Sequence, residues 1–337
     1  MTNQSNNSIA KTDRRKLIAS GLFAPLALSH WKEAKAMERI SKQTVLITGA
    51  GSGFGFAMAE AFARQNFKVI ASLRDSESRN RWKRDNLQNL RNQGLDVDIE
   101  ELDVTKASDR RRVINKISSS YGRLDVLINN AGMIAFTPVE TATQTMWQTI
   151  MDTNLHGPMA LAGDALPLMR RQGSGLIIQV SSRVGRVTIP GLGLYATSKF
   201  AFECASETAH YEASRYGVDF AIIQPSAFRT DVNRNAVEYY RSTSKSDMQN
   251  NKSEGFDYNR EFLDQLERNF SGTPTRDPRE VSDLAVRIAN TPRDQRRLRY
   301  PVGDFSELGD VAEINDSLAG YQRNALNSSG FGSWFRS

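Results

Sequence analysis

The segment from Thr44 to Arg64 places a strand, a glycine turn and a helix in direct succession. Thr44–Thr48 is a short β-branched and apolar run, which predicts a buried strand. It leads into Gly49–Gly55 (GAGSGFG), and Phe56–Arg64 is rich in alanine and apolar residues, which predicts a helix. Glycines allow close approach of a pyrophosphate, and a helix N-terminus offers free N–H groups. The segment therefore predicts a dinucleotide-binding unit; a flexible Gly/Ser linker fits poorly between two ordered patterns.

The end of the second predicted strand, Phe67–Leu73, bears on the choice of cofactor. An acid at this point accepts from the ribose 2′-OH of NAD, whereas an arginine accommodates the 2′-phosphate of NADP. Leu73 stands where the acid is expected and Arg74 follows it. We therefore expect NADP(H), with NAD(H) as the alternative. Asp75 is expected to point elsewhere or to cap the next helix, and Arg74 has the alternative role of a solvated surface cation.

Ser182, Tyr195 and Lys199 form the second informative pattern. The segment that Tyr195 opens has helical character, so a spacing of four places its phenol and the Lys199 ammonium on one face. A cation about 4 Å away, at an effective dielectric of about 20, favours the phenolate by about 4 kcal/mol, or roughly three pKa units. This predicts a tyrosine pKa near 7 and suits proton transfer to or from a carbonyl or alcohol. An exposed helical pair is the alternative when the pattern is taken alone.

Seven motifs in order and register resemble the short-chain dehydrogenase/reductase family over residues 42–303. They are Thr48–Gly55, Leu102–Thr105, Asn129–Gly132, Asn154, Ser182, Tyr195–Lys199 and Gln224–Ser226. The resemblance implies an α/β Rossmann fold, a doubly wound parallel sheet in a single domain with a C-terminal substrate lid. Alternating strand and helix patterns agree with this fold, with later strands expected at 176–180, 218–224 and 298–302.

The resemblance also implies roles for site residues. Hydride passes between the nicotinamide and a carbonyl carbon while Tyr195 donates or accepts the proton. Lys199 lowers the tyrosine pKa and binds the nicotinamide ribose, Ser182 positions the substrate carbonyl, and Asn154 holds a water of a proton relay. Asp103 would accept from the adenine amino group, or else cap the segment from Lys106. The implied cofactor contacts are Gly49, Ser52, Gly53, Gly55, Arg74, Asp103, Val104, Asn130, Ala131, Gly132, Tyr195, Lys199 and Thr230.

One position departs from the family pattern. The family usually has Pro-Gly after the sixth strand, where glycine lets the backbone face the nicotinamide. Here Pro225 is followed by Ser226, which stays small but loses the easy positive-φ conformation. We expect cofactor binding to survive and the tuning of this loop to change.

Residues 1–36 resemble an export signal. A charged region with the pair Arg14-Arg15 precedes an apolar stretch to Leu28 and an A-x-A site at residues 34–36. The apolar part is too short to span a bilayer, so no stable membrane anchor is expected. Paired arginines resemble a twin-arginine signal, which predicts export to the periplasm; the alternative location is the cytoplasm. The alternative structure is an amphipathic extension that packs on the domain through Trp31.

Charge and composition weigh against two other classes of protein. Residues 1–36 hold six Lys/Arg and two Asp/Glu, so without them the formal net charge falls from +6 to +2. Basicity therefore gives no support for nucleic-acid binding. The three histidines are scattered and the single Cys204 shows no metal spacing, so no metal is expected. Cys204 is expected to be a core residue.

The C-terminal part of the chain carries less information. The lid region, about residues 228–276, contains aromatic residues that either line a pocket for a hydrophobic substrate or only pack the lid onto the body: Tyr239, Tyr240, Phe256, Tyr258 and Phe262. Residues 304–337 form a tail in which Phe331, Trp334 and Phe335 are candidates for docking on a neighbouring subunit. A homodimer or homotetramer is implied only by the resemblance.

The leading functional prediction is an NADP(H)-dependent oxidoreductase that interconverts a small-molecule carbonyl and an alcohol. The alternatives are an NAD-dependent alcohol or hydroxysteroid-type dehydrogenase and a nucleotide-binding regulator without hydride chemistry. Loss of the tyrosine or the lysine is the usual sign of such a regulator, and both residues are present here.

Overall fold

The computed structural model describes residues 42–228, 230, 239, 265 and 276–334, with only the backbone of 305–308. Its strands are β1 Thr44–Ile47, β2 Lys68–Leu73, β3 Val97–Glu101, β4 Val126–Asn129, β5 Gly175–Val180, β6 Val218–Pro225 and β7 Arg299–Val302. They form one sheet in the order β3-β2-β1-β4-β5-β6-β7, and every neighbouring pair is parallel. The predicted doubly wound parallel sheet is confirmed.

Helices cover both faces of this sheet. They are α1 Gly53–Arg64, α2 Arg81–Asn92, α3 Ala107–Tyr121, α4 Gln144–Met151, α5 Gly157–Gln172, α6 Gly193–Ser214, α7 Arg279–Asn290 and α8 Phe305–Ser328. One core cluster contains residues of α1, α2 and α7, and the other contains residues of α3, α5 and α6. Strand β1 contributes to both because its side chains alternate: Val45 and Ile47 lie in the first cluster and Leu46 in the second. Burial on both faces explains the continuous apolar strands.

The topology places the carboxyl ends of the central strands at one edge. Strand β1 lies between β2 and β4, so the strand order reverses beside β1, and ligands of such sheets bind at this point. The glycine turn follows β1, Asn130 follows β4, Ser182 lies two residues beyond β5, and Ser226 follows β6. The sheet thus collects the sequence motifs at a single edge.

Two local features differ from the expected helices. Helix α1 begins at Gly53, three residues before the predicted start, so the last glycines of the turn are already helical. The segment Asp152–His156, which contains Asn154, is a turn of π-helix between α4 and α5. Such a bulge inserts an extra residue into a helix and often lies at a functional site.

The tail contains a helix that the sequence analysis did not predict. Helix α8 runs to Ser328, and a short turn at Gly332–Trp334 follows it. Phe331 and Trp334 meet edge to face with ring centroids 4.8 Å apart, and the Arg215 guanidinium lies 4.4 Å from the Trp334 ring. Two of the three tail aromatics therefore contact each other, and Trp334 also contacts the body of its own chain. Phe335 lies outside the described residues.

Cys204 is exposed, so its prediction as a core residue is wrong. The buried face of α6 contains Lys199, Glu203 and Ser206, and a residue next to Glu203 in sequence is turned about 100° away from it. In the described residues no helix is long and apolar enough to cross a bilayer.

The glycine turn generates a test of the packing. A Cβ at Gly55 would collide with the carbonyl oxygen of Gly49, whereas a Cβ at Gly163 in α5 would meet nothing within 4 Å. We expect Gly55→Ala to destabilise the protein by about 1–3 kcal/mol through overpacking. Gly163→Ala should be neutral or stabilise by up to about 1 kcal/mol, because alanine is the better helix former. Thermal unfolding of both variants measures this; equal melting temperatures would contradict the close-packed turn.

Candidate active site

Thr48 connects the glycine turn to the turn after β4. Its Oγ1 accepts hydrogen bonds from the backbone N–H groups of Asn130 at 3.0 Å and Ala131 at 2.9 Å. The side-chain amide of Asn130 donates in return to the Thr48 carbonyl oxygen at 2.9 Å. Gly49 has φ +65°, and a Cβ there would lie 2.9 Å from the Ala131 Cα. The glycine turn and the turn after β4, which are far apart in sequence, are thus hydrogen bonded and closely packed. This packing requires glycine at position 49.

The start of α1 and Thr230 border the same space. Ser52 has extended backbone angles and its side chain makes no cap hydrogen bond, so it leaves the first-turn N–H groups of α1 uncovered. A Cβ at Gly53 would lie 3.5 Å from the Thr230 Cβ, so this threonine stands over the glycine turn. A helix N-terminus with backbone donors and little side-chain bulk suits a diphosphate. The predicted residues Ser52, Gly53 and Thr230 therefore lie together and fit the pyrophosphate of a dinucleotide.

The end of β2 has the features predicted for it. Leu73 is buried and Arg74 is exposed. The backbone carbonyl oxygen of Arg74 accepts a hydrogen bond from Asn80 Nδ2 at 2.7 Å. Asp75 turns to a different partner: its carboxylate pairs with Arg79 at 2.8 Å. The N-cap of α2 is Asn80, so Asp75 points elsewhere and does not cap the helix. Arg74 is thus an exposed cation directly after β2, at the sheet edge that carries the glycine turn.

Lys83 is a neighbour of the glycine turn that the sequence analysis missed, and its ammonium lies 5.3 Å from the centroid of the Trp82 ring. It lies in the first turn of α2, and a Cβ at Gly51 would be 2.9 Å from the Lys83 Cβ and 3.0 Å from its Cδ. The aliphatic part of Lys83 therefore packs on the glycine turn. Its position follows from the length of the loop between β2 and α2, which sequence periodicity does not define.

Asp103 and Val104 lie at the end of β3. The Asp103 carboxylate accepts from the backbone N–H of Thr105 at 3.0 Å and from its hydroxyl at 2.7 Å. Burial raises the pKa of Asp103, but these bonds and the nearby charge of Arg74 outweigh it and leave the pKa below its usual value. Asp103 thus stays ionised and half-buried, and it closes a turn before α3. Val104 is buried, and its carbonyl oxygen accepts from Arg110 at 2.8 Å.

Asn154 joins the turn after β4 to helix α6. Its Oδ1 accepts from the Met133 N–H at 2.9 Å, and its Nδ2 donates to the Met133 carbonyl at 2.9 Å and to Ser198 Oγ at 3.0 Å. A Cβ at Gly132 would lie 3.2 Å from Asn154 Oδ1 and 3.9 Å from Lys199 Nζ. The structure thus brings Asn154, Gly132 and Lys199 together. Position 132 is a glycine because a side chain there would crowd the Asn154 amide.

Ser182 and Tyr195 meet as predicted. The Ser182 hydroxyl acts on Tyr195 by lowering its pKa, and the Val184 N–H donates to Ser182 Oγ at 3.4 Å. Burial has the larger effect and raises the pKa of Tyr195 to about 12, so Ser182 opposes it only in part. The tyrosine is therefore a protonated phenol at neutral pH.

Lys199 does not lower the tyrosine pKa in this arrangement, so the prediction of a value near 7 is wrong. Its ammonium donates to the Val180 carbonyl oxygen at 2.8 Å and stands 5.8 Å from the centroid of the Tyr195 ring. The lysine is 6% exposed, and burial lowers its own pKa to about 8 although the charge of Glu203 acts in the opposite direction. The sequence estimate counted the attraction between charges and left out desolvation, which is the larger effect for both groups.

Ser226 does not have a positive φ. Among the described residues other than glycine, only Asn66 and Asp75 have one. Its Oγ accepts from the Asp304 N–H at 3.1 Å, and its N–H donates to the Val302 carbonyl at 2.9 Å. The hydroxyl therefore ties the end of β6 to the end of β7.

The described part of the lid is small. Tyr239 packs against a cluster formed by Ala135, Met146, Ile150 and Leu194, which supports packing onto the body for this aromatic residue. Tyr240, Phe256, Tyr258 and Phe262 lie outside the described residues, as does the leader, residues 1–36.

Comparison with known proteins agrees with this geometry. The family model described as short chain dehydrogenase matches residues 43–241. The uncharacterized oxidoreductase YusZ of Bacillus subtilis is 31% identical over 271 residues, which are 80% of this chain and 92% of YusZ.

Solved structures share the fold. An alcohol dehydrogenase from the archaeon Thermococcus sibiricus, complexed with 5-hydroxy-NADP, has a TM-score of 0.61 and 23% identity over 78% of this chain and 96% of its own. A Burkholderia phymatum short-chain dehydrogenase/reductase in complex with NAD has a TM-score of 0.67 and 21% identity, covering 82% of this chain and 93% of its own. These two structural neighbours thus carry an NADP derivative and NAD, respectively. With the matched family model and the site at the sheet edge, the chain is an oxidoreductase that belongs to the short-chain dehydrogenase family.

Proposed function

We propose that this protein is an NADP(H)-dependent oxidoreductase that interconverts a carbonyl and an alcohol, with Tyr195 as proton donor or acceptor. The observation that carries the proposal is the grouping of the Tyr195 phenol with Ser182, which acts on its pKa, and with Lys199, whose Nζ lies 5.8 Å from the centroid of its ring. This group lies at the same sheet edge as the glycine turn. A substrate oxygen placed between the Ser182 and Tyr195 hydroxyl groups would contact both of them at once.

The protonation states support carbonyl reduction near neutral pH. When bound, a nicotinamide dinucleotide supplies or accepts the hydride. Tyr195, with a pKa of about 12, holds its proton and can donate it to the oxygen on which negative charge develops. Ser182 orients that oxygen, and the Lys199 ammonium stands beside the phenol, 5.8 Å from the centroid of its ring. Alcohol oxidation needs the deprotonated phenol, so its rate should rise with pH well above neutrality.

Two cations support the choice of NADP(H). Arg74 is exposed at the end of β2, where the buried Leu73 offers no acceptor for a ribose 2′-OH. Lys83 packs on the glycine turn next to Leu73. An arginine matches the geometry of a phosphate through paired N–H donors, and a lysine adds a point charge. A 2′-phosphate beside Arg74 would therefore meet a cation and no competing acidic side chain from β2, and the second cation, Lys83, has its ammonium 5.3 Å from the centroid of the Trp82 ring.

The acid/base role can be tested with Tyr195→Phe. Removal of the hydroxyl should reduce turnover by roughly 100-fold or more, because general acid catalysis contributes about that much. NADPH affinity should change little, since the ring remains. The assay is carbonyl-dependent NADPH oxidation over a panel of ketones, aldehydes and quinones, with NADPH binding measured by fluorescence.

Tyr216→Phe is the control, because Tyr216 is an exposed tyrosine just beyond α6. Retained activity in Tyr195→Phe would overturn the acid/base assignment. Tight NADPH binding by the unmodified protein with no turnover on any substrate would favour the nucleotide-binding regulator.

The cofactor choice can be tested with Arg74→Ala. Loss of a charge-assisted contact with the 2′-phosphate should weaken NADPH binding roughly 10- to 100-fold. NADH affinity should stay nearly constant because NADH lacks that phosphate. Arg79→Ala is the matched control: it removes a neighbouring exposed arginine that pairs with Asp75. Isothermal titration with both cofactors measures the effect, and equal losses for NADPH and NADH would favour the NAD-dependent alternative.

We also propose that residues 1–36 direct export through the twin-arginine route. The proposal rests on the sequence pattern alone: an arginine pair, a short apolar stretch and an A-x-A site. In fractionated cells we expect a periplasmic form shortened by about 36 residues. Replacement of Arg14 and Arg15 by lysine keeps the charge and should retain the full-length protein inside the cell. A full-length soluble form of the unmodified chain would count against export.

A further inference from the structure

Glu203 lies in a buried charge cluster behind the candidate catalytic residues. It is four residues after Lys199 and eight after Tyr195 in α6, so the three side chains lie near one face of the helix. Its exposed fraction is 0%. A carboxylate removed from water to this extent must be hydrogen bonded and paired, otherwise it would take up a proton.

The Glu203 carboxylate has polar partners on both oxygens. Oε1 accepts from Ser181 Oγ at 2.8 Å and from Gln224 Nε2 at 2.9 Å. Oε2 pairs with Arg299 Nε at 3.0 Å and Arg186 Nε at 3.1 Å. These partners come from the ends of β5 and β6, from the loop after β5 and from β7. The carboxylate is therefore held at a defined place, with two cations on Oε2.

The backbone near Ser182 leaves room for this carboxylate. A Cβ at Gly185 would lie 2.5 Å from Glu203 Oε1 and 2.9 Å from Ser181 Oγ. The absence of a side chain at position 185 lets the loop that starts at Ser182 pass directly over the carboxylate. Glu203 and this loop thus form one packed unit.

Among the described residues, Glu207 and the two arginines are the other charged groups of the cluster. Glu207, one turn further along α6, accepts from Arg299 Nη2 at 2.6 Å and from the Tyr211 hydroxyl at 2.7 Å. Arg186 Nη2 lies 4.0 Å from the Glu207 carboxylate. The two glutamates and two arginines balance each other, and Asn315 of α8 contacts Arg186 at 3.2 Å without adding charge. Lys199 is the additional cation at the border of this cluster.

We propose that Glu203 is a positioning residue whose buried negative charge keeps the Lys199 ammonium protonated. Lys199 has a backbone carbonyl as its hydrogen-bond acceptor and little water around it, so its charged form depends on a nearby anion. Glu203 supplies that anion one helical turn away. Burial lowers the pKa of Lys199 to about 8, and Glu203 opposes the effect, whereas Glu207 makes no comparable contribution.

The importance of this charge for turnover rests on the proposed function, but the charge itself can be measured without a substrate. The readout is the pH dependence of the Lys199 Cε chemical shift in the full chain labelled with [ε-¹³C]lysine. The signal is assigned by its disappearance in Lys199→Met. The unmodified protein should titrate near pH 8.

In Glu203→Gln the midpoint should fall by roughly one pH unit, because one opposing negative charge is removed. Glu207→Gln is the matched control: it removes a carboxylate from the same helix and the same arginine, and it should leave the midpoint nearly unchanged. Glu203→Asp retains the charge and should stay close to the unmodified protein. An unchanged midpoint in Glu203→Gln, or an equal fall in Glu207→Gln, would overturn the proposal.

Glu203→Gln leaves two buried arginines opposite a single glutamate, which destabilises the fold. The double variant Glu203→Gln/Arg299→Gln removes one charge of each sign, so the Lys199 midpoint should fall by less than in Glu203→Gln, because loss of the arginine partly offsets loss of the carboxylate. It is measured in parallel, so an unfolded single variant does not decide the result. A double variant that titrates at the unmodified midpoint would also overturn the proposal. Failure of the carbonyl assay with a confirmed midpoint shift would reject the proposed function and leave this inference standing.

Discussion

The removal of water from α6 and the strand ends facing it is the constraint on which the site depends. Desolvation is the largest effect on the pKa of both Tyr195 and Lys199: it raises the first to about 12 and lowers the second to about 8. The same burial forces Glu203 to find partners on each of its oxygens. The charged groups behind the phenol are therefore linked, and a change in one alters the protonation of the next.

Much of the fold could be predicted because the sheet is buried on both faces. Continuous apolar runs define β1, β5 and β6 to within a residue or two, and the glycine segment marks the βα turn. Helix α8 could not be predicted in the same way, because most of its described side chains are exposed and it lacks a continuous apolar face. Element ends also depend on local geometry, as the π-helical turn at Asn154 shows.

The motifs indicated the candidate site residues, but they did not indicate the burial or the pKa values of these residues. Spacing placed Tyr195 and Lys199 on one face of a helix, and the structure has them there. Spacing does not report that Lys199 Nζ is directed at the Val180 carbonyl, nor how much water surrounds it. Glu203 follows Lys199 by four residues, so the sequence could have indicated that the two share a face of one helix. The arginine partners of Glu203 come from distant parts of the chain, which spacing does not predict. Lys83 reaches the glycine turn through a loop whose path periodicity does not describe.

The serine at position 226 shows how a departure from a family motif is absorbed by its neighbours. The residue that carries a positive φ here is Gly303, at the end of the adjacent strand β7, with φ +132°. A side chain at Gly303 would collide with the Ser226 hydroxyl, so the serine at position 226 requires a glycine at position 303. The hydroxyl also accepts the Asp304 N–H, which glycine at 226 would leave without this partner. Ser226, the first residue after β6, is thus tied by its side chain to the chain just beyond β7, at the position where the family pattern has a glycine.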